Sequence, residues 1–297
     1  MATAVQDIPR GVLVTRTRAE GWTGAFHRLL RNRLSVVGSV IVALLVAVAI
    51  FAPYLGLADP IRLNVAKRFT PPGAEFWFGT DHLGRDILSR VLHGARFSLT
   101  IGALTILAAG IPGVLVGILG AAAPARMAAL IMRAMDLLMS FPPLLLAIAV
   151  AAALETGGRS IVIALSVVYF PRIVRVTRAI ALSVMAQEYV VAALALGASG
   201  RRLIGRTILP NCLSVVIVQV SLYFAEVLLA EAALSFLGLG EAPPRPTWGN
   251  MLYEAQKNMR NAPWLAIFPG AAIAISVLGL NLFGDAVRDA MDPRMRT

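Results

Sequence analysis

Gly197-Ala198-Ser199-Gly200 sets a serine among glycines, the pattern with which intramembrane serine proteases present a nucleophile. Such a serine needs a base within hydrogen-bond reach. The histidines are His27, His82 and His93, and none lies in an apolar run long enough to span a membrane. The plainer reading is that Gly197 and Gly200 interrupt a helix and Ser199 caps the next one. A phosphate-cradling loop needs a lysine directly after a glycine. Lys67 follows Ala66 and Lys257 follows Gln256, so this chain is not itself such an ATPase. His82, Asp86 and His93 would share one face of a helix and could hold a transition metal. Against that, Leu83, Ile87 and Val91 fall at helical spacing, Asp86 and Arg90 form an i,i+4 pair, and Thr80 can cap. An amphipathic helix over Asp81 to Arg96, lying at the membrane surface, is the stronger expectation, and no metal is assigned. Cys212, the single cysteine, excludes an internal disulfide and a multi-cysteine metal site.

Two carboxylates, Glu226 and Glu231, stand inside an apolar run. A charge at membrane depth is costly and faces a bundle interior or a watery path. Five residues apart on a helix, the two project about 140° from each other, so they do not face one narrow lumen together. A lining or gating role and a pairing role are equally open for Glu231. For Glu226 the plainer reading is favoured, a carboxylate near the span end or one paired with an arginine of a neighbouring helix.

The elements that must position these groups are transmembrane helices. The chain has 297 residues, 58% hydrophobic and 14% charged. Soluble domains rarely reach such values. The net charge of +11 comes from basic residues scattered between apolar runs, with no continuous basic stripe, which argues against nucleic acid and for a membrane surface. Six spans are expected: Leu34 to Leu57, Phe97 to Ala121, Ala134 to Leu154 interrupted by Phe141-Pro142-Pro143, Ser160 to Ala181 with Pro171 inside, Leu213 to Leu239, and Trp264 to Phe283. Helices are the default because an open sheet edge is unsatisfied in lipid. The polar, arginine-rich start lacks a cleavable-signal pattern, so the first span is read as retained. The larger share of the 27 lysines and arginines, with those from Arg172 to Arg206 included, falls on the N-terminal side. Both termini are therefore expected in the cytoplasm. The resulting segments are 1–33 (cytoplasmic), 34–57 (first span), 58–96 (extracytoplasmic loop with the amphipathic helix), 97–286 (a core of five spans with a loop at 185–210) and 287–297 (cytoplasmic tail).

The 185–210 loop reads as two short helices, Val190 to Leu196 and Ser199 to Thr207, the second stopped before Pro210. Leu203, Ile204 and Ile208 make an apolar face, with Arg202 and Arg206 at i and i+4 beside it. Such a knob suits a groove on a partner, or the anionic membrane surface.

The stretch resembles the Glu-Ala-Ala loop of permease subunits of binding-protein-dependent ABC importers. Ala192, Ala193, Gly197, Leu209 and Pro210 match that pattern, while Val191 replaces its glutamate and Thr207 its isoleucine. FGTDHLGRDILSRVLHGARFSLTIG (Phe78 to Gly102), LSFLGLG, PTWGNML, PWLAIFPG and NLFGDAVRDAMDPR resemble signatures of dipeptide, oligopeptide and nickel permeases. RLLRNRLSVVGSVIV resembles the first-span segment of the C-type half of the permease pair. The resemblance implies an all-α, six-span type I ABC importer permease in the bacterial cytoplasmic membrane. It implies coupling to ATPases through Val191, Ala192, Ala193, Gly197, Ala198, Arg201, Arg202, Arg206, Leu209 and Pro210. It further implies a path or gate at Glu231 and Ser235, and an outer-loop signature at Gly79, Thr80, Asp81, Gly84, Arg85 and Asp86. The implied partners are a homologous second permease, two ATPase subunits holding ATP and Mg, an extracytoplasmic binding protein, a di- or oligopeptide substrate and membrane lipid. The chain itself would carry no cofactor. A nickel or metal-chelate importer is the alternative, and an intramembrane serine protease or a passive channel are distant ones.

Overall fold

A computed structural model describes residues 32–291. The residues before and after, which hold most of the expected N-terminal segment and part of the C-terminal tail, lie outside the described residues. The described chain is helical. Its helices are α1 (Arg33–Phe51), α2 (Ile87–Ala122), α3 (Ala125–Met139), α4 (Pro143–Ala152), α5 (Gly158–Met185), α6 (Glu188–Ala195), α7 (Gly200–Leu203), α8 (Leu209–Phe236), α9 (Trp248–Ala255) and α10 (Trp264–Met291).

Five helices are long and apolar enough to cross a membrane, and α3 with α4 makes a sixth span if the pair is counted as one. That pair is bent by 86°, at the Phe141-Pro142-Pro143 break. Pro142 is the N-cap of α4 and Pro143 opens it. Neither proline has an N–H to continue the preceding helix, and each disfavours helical geometry in the residue before it.

The second span departs from expectation. α2 is one helix of 36 residues that starts at Ile87, well before Phe97. No separate amphipathic helix lies over Asp81 to Arg96. Asp86 is the N-cap, its carboxylate accepting from the Ser89 amide at 3.0 Å. Thr80 is not the cap. Burial pushes the Asp86 carboxyl up, against the opposing effect of the Ser89 and Leu88 amides. The polar residues of this stretch are largely taken inside the protein rather than turned to water, which is why a surface helix does not form.

α2 and α5 form the centre of the bundle, with α8 beside them. Small residues let the backbones approach closely. A Cβ on Gly117 would stand 2.7 Å from Cβ of Thr177, and one on Gly113 would stand 2.8 Å from Cγ2 of Ile173. In lipid, packing of this kind takes the place of the hydrophobic effect between helices. α1 rides on the outside of α10, meeting it through Gly38 against Leu282 and Gly279 against Ile41. Residues 55–86 and 237–263 gather at one end of the bundle, and residues 186–208 lie at the other.

Candidate functional site

At the 186–208 end, α6 closes with a glycine C-cap. Gly197 takes φ +85°, its amide donates to Leu194 O at 2.9 Å, and the Ala198 amide donates to Ala193 O at 3.0 Å. This paired pattern satisfies the last carbonyls of the helix and favours glycine at the turn. Ser199 then occupies the N-cap position of α7, but its side chain makes no capping bond. The chain does not stop before Pro210, as the sequence suggests. A π-helical turn over Ile204–Ile208 leads straight into α8, and Pro210 sits in the first turn of that helix. The wider turn changes which carbonyl each amide meets, so the proline is absorbed without a break.

Val190, Leu203 and Ile208 face inward, whereas Leu196 is 89% exposed. Ala193, Leu196, Gly197, Ala198, Arg202 and Arg206 line one concave surface of about 440 Å³. Val191, Ala192 and Arg201 are exposed beside it, and Leu209 and Pro210 begin α8. Of the residues expected to couple, Ala193, Gly197, Ala198, Arg202 and Arg206 therefore share this apolar and basic surface. His82 and His93 lie at the opposite end of the bundle, so neither serves Ser199 as a base; His27 lies outside the described residues.

The other end is a packed plug around ion pairs. Arg85 Nη2 donates to Glu254 Oε2 at 2.7 Å, and Arg90 Nη2 donates to the same oxygen at 3.0 Å. Asp81 Oδ2 accepts from Arg85 Nε, and Asp81 Oδ1 accepts from the amides of Leu83 and Arg85. The side chains of Asp81, Arg85 and Arg90 are at most 4% exposed. Thr80 is fully buried, its hydroxyl donating to Lys67 O and its carbonyl accepting from Trp264 Nε1 at 3.2 Å. Trp248 lies buried across α2, its Nε1 donating to Val91 O at 2.9 Å, and Phe78 stacks on Phe268 at 3.9 Å. Three of the sequence signatures, those holding Phe78, Trp248 and Trp264, thus pack into one another here.

Asp81, His82 and Glu254 lie close enough together to suggest a metal. Yet both carboxylates already accept from guanidinium groups, which supply the positive charge a cation would bring. The trio of His82, Asp86 and His93 is not assembled: Asp86 caps α2, and His93 Nδ1 lies 2.9 Å from Ser89 O.

Glu231 and Ser235, for which a path or gate is implied, do not line an open surface. They are 0% and 1% exposed. Ser235 donates to Glu231 Oε1 at 2.9 Å. Ser235 is roofed by the segment after α8, for a Cβ on Gly240 would fall 2.2 Å from Ser235 Oγ and one on Gly249 would fall 2.5 Å from its Cβ. Glu226 is the exposed carboxylate. Its Oε2 accepts from Arg172 Nη1 at 2.9 Å, the pairing expected of it. Arg172, grouped above with the cytoplasmic side, stands at the midpoint of Gly158–Met185.

The comparisons agree with this architecture. A family model described as "binding-protein-dependent transport system inner membrane component" matches residues 113–297. A second, the N-terminal transmembrane domain of oligopeptide transport permease C, matches residues 22–72. The chain belongs to this permease family. A putative peptide transport system permease protein of Brucella abortus is 45% identical over 91% of this permease and 91% of its own length. A di/tripeptide transport system permease protein of Pseudomonas aeruginosa is 42% identical over 93% and 92%. The oligopeptide transport system permease protein of Bacillus subtilis is 36% identical over 93% and 90%. The fold is that of the MetNI methionine ABC transporter in an inward-facing conformation, with TM-score 0.57 at 18% identity over 68% of this permease and 96% of that chain. The permease is thus a multi-pass inner-membrane component of a transport system.

Sequence reasoning missed Arg90 and Glu254 as members of the plug and Arg172 as an intramembrane charge. Only Arg172 carried a signal, being an arginine inside the apolar run from Ser160 to Ala181.

Proposed function

We propose that this permease is the C-type membrane subunit of an ATP-driven importer of di- or oligopeptides. It pairs with a homologous permease and is driven by two ATPase subunits, which bind the ATP and Mg. A binding protein delivers peptide to the plug end, and both termini lie in the cytoplasm. The observation that carries the reading is the exposed apolar and basic surface over 191–207. It combines an aliphatic knob, Leu196, with arginines able to orient a docked partner.

Continuity explains how force would travel. The π turn joins that surface directly to α8, which runs 28 residues to Phe236. At about 1.5 Å per residue this is a lever of about 42 Å. Its far end carries Ser235, in close contact with Gly240 and Gly249 of the plug. Closure of the ATPases on ATP would shift the 191–207 surface, and α8 would deliver that shift to the plug, opening one side as the other closes. The break at Phe141-Pro142-Pro143 and the prolines within α2, α5 and α10 let neighbouring helices bend around the path.

Reversing Arg202 and Arg206 together to glutamate should weaken copurification of the ATPase subunits at least tenfold while leaving the permease in the membrane. Unchanged copurification would assign these arginines to anionic lipid instead.

A further inference from the structure

We infer that Arg172 and Glu226 line the aqueous path at mid-membrane, where they receive the carboxylate and ammonium ends of a peptide. The inference rests on the peptide-importer reading above. Arg172 stands at the midpoint of Gly158–Met185, and Glu226 at the midpoint of the Val215–Phe236 span. Their side chains are 28% and 53% exposed. A charged side chain facing hydrocarbon at that depth costs about 2.5–3.5 kcal/mol on insertion scales. The uncovered face of the pair therefore belongs against water.

The surroundings are polar in a line. Gln219, Tyr223 and Glu226 fall at i, i+4 and i+7 on α8, one helix face. Tyr169 of α5 packs beside them, against Tyr223 and Arg172. The Arg172 guanidinium lies 5.3 Å from the Tyr169 ring, and the two tyrosine rings lie 5.7 Å apart. By contrast Ile217, 46% exposed, projects about 180° from Glu226 on the same helix, as a lipid-facing residue does.

The chemistry follows from the exposure. The buried pairs at the plug are held by several bonds each. The Arg172–Glu226 pair is single and open, and an exposed pair is worth only about 0–1 kcal/mol, so it exchanges readily. A peptide with free termini offers the same two charges. Its carboxylate replaces Glu226 on Arg172, and its ammonium replaces Arg172 on Glu226. Charge is conserved at each step, and no empty charged site is left when the peptide departs.

The test uses the complete importer in proteoliposomes. In a Cys212→Ala background, Glu226→Cys should react with a charged, membrane-impermeant thiol reagent at least tenfold faster than Ile217→Cys. Equal rates would overturn the placement in the path. Arg172→Gln and Glu226→Gln should each lower labelled dipeptide moved per ATP hydrolysed about tenfold, with binding-protein-stimulated hydrolysis within twofold of normal. If hydrolysis and uptake fall together, or if neither changes, the pair is structural and the assignment is overturned. Failure of the peptide reading has a different signature: the unmodified importer itself moves no dipeptide, whatever the labelling.

Discussion

Replacing Glu254 by alanine should destabilise the permease by about 3–5 kcal/mol, the range found when one partner of a buried ion pair is removed. Glu254 is the only carboxylate that Arg85 Nη2 and Arg90 Nη2 are bonded to in the plug. Without it, two guanidiniums no more than 2% exposed share Asp81 alone. One positive charge is then left uncompensated in a nearly dry site. Arg90 Nε already lacks a hydrogen bond, lying 3.8 Å from Asp81 Oδ2, so there is little spare acceptor capacity. The melting temperature of the detergent-solubilised protein should fall by roughly 10 °C. Lys67 and Glu75 provide the control, because their side chains are 42% and 64% exposed. Glu75→Ala should change stability by less than about 1 kcal/mol. Equal effects of the two substitutions would mean that the cluster does not hold the plug together.

Gly84→Ala should be comparably damaging for a different reason. Gly84 has φ +73°, and an added Cβ would lie 1.8 Å from the carbonyl oxygen of Asn64. That atom is backbone, and the Asn64 amide in turn donates to Leu83 O at 3.0 Å, so it cannot swing away alone. The backbone conformation costs an alanine about 1 kcal/mol, and forced displacement of packed atoms adds about 1–3 kcal/mol. Gly56 separates the two contributions. Its φ is +63°, but nothing lies within 4 Å of a Cβ built there. Gly56→Ala should therefore cost only the backbone part, and the difference in melting temperature between the two variants measures the clash.

The apolar runs and their breaks were legible because they depend on local chemistry. Hydropathy alone finds a helix of about the right length, and adjacent prolines at 142 and 143 mark where it must break. The start of α2 was not legible. Arg90, His93 and Arg96 make its first turns look like a surface segment. What removes the cost of burying Arg90 is Glu254, 164 residues away along the chain, and no periodicity reports such a partner. The two glutamates of α8 teach the same lesson. Helical geometry says that they diverge by about 140°. Which one turns inward depends on where Gly240 and Gly249 pack, and those residues lie outside the helix. The surface over 191–207 was legible in position but not in shape, because a π turn and an α-helical turn need the same residue types.

In the function proposed above, ATP hydrolysis drives peptide uptake through the 191–207 surface. The most direct measurement is uptake of a labelled dipeptide by cells lacking this permease, complemented with wild type or with Gly197→Asp. Gly197 holds a positive φ with open space around it, so an aspartate there adds strain and negative charge to the docking surface without a clash inside the fold. The expected result is that wild type restores uptake and Gly197→Asp, present in the membrane at the same level, restores less than about a tenth of it. Full uptake by Gly197→Asp, or no change in dipeptide uptake when the wild type is returned, would contradict the account.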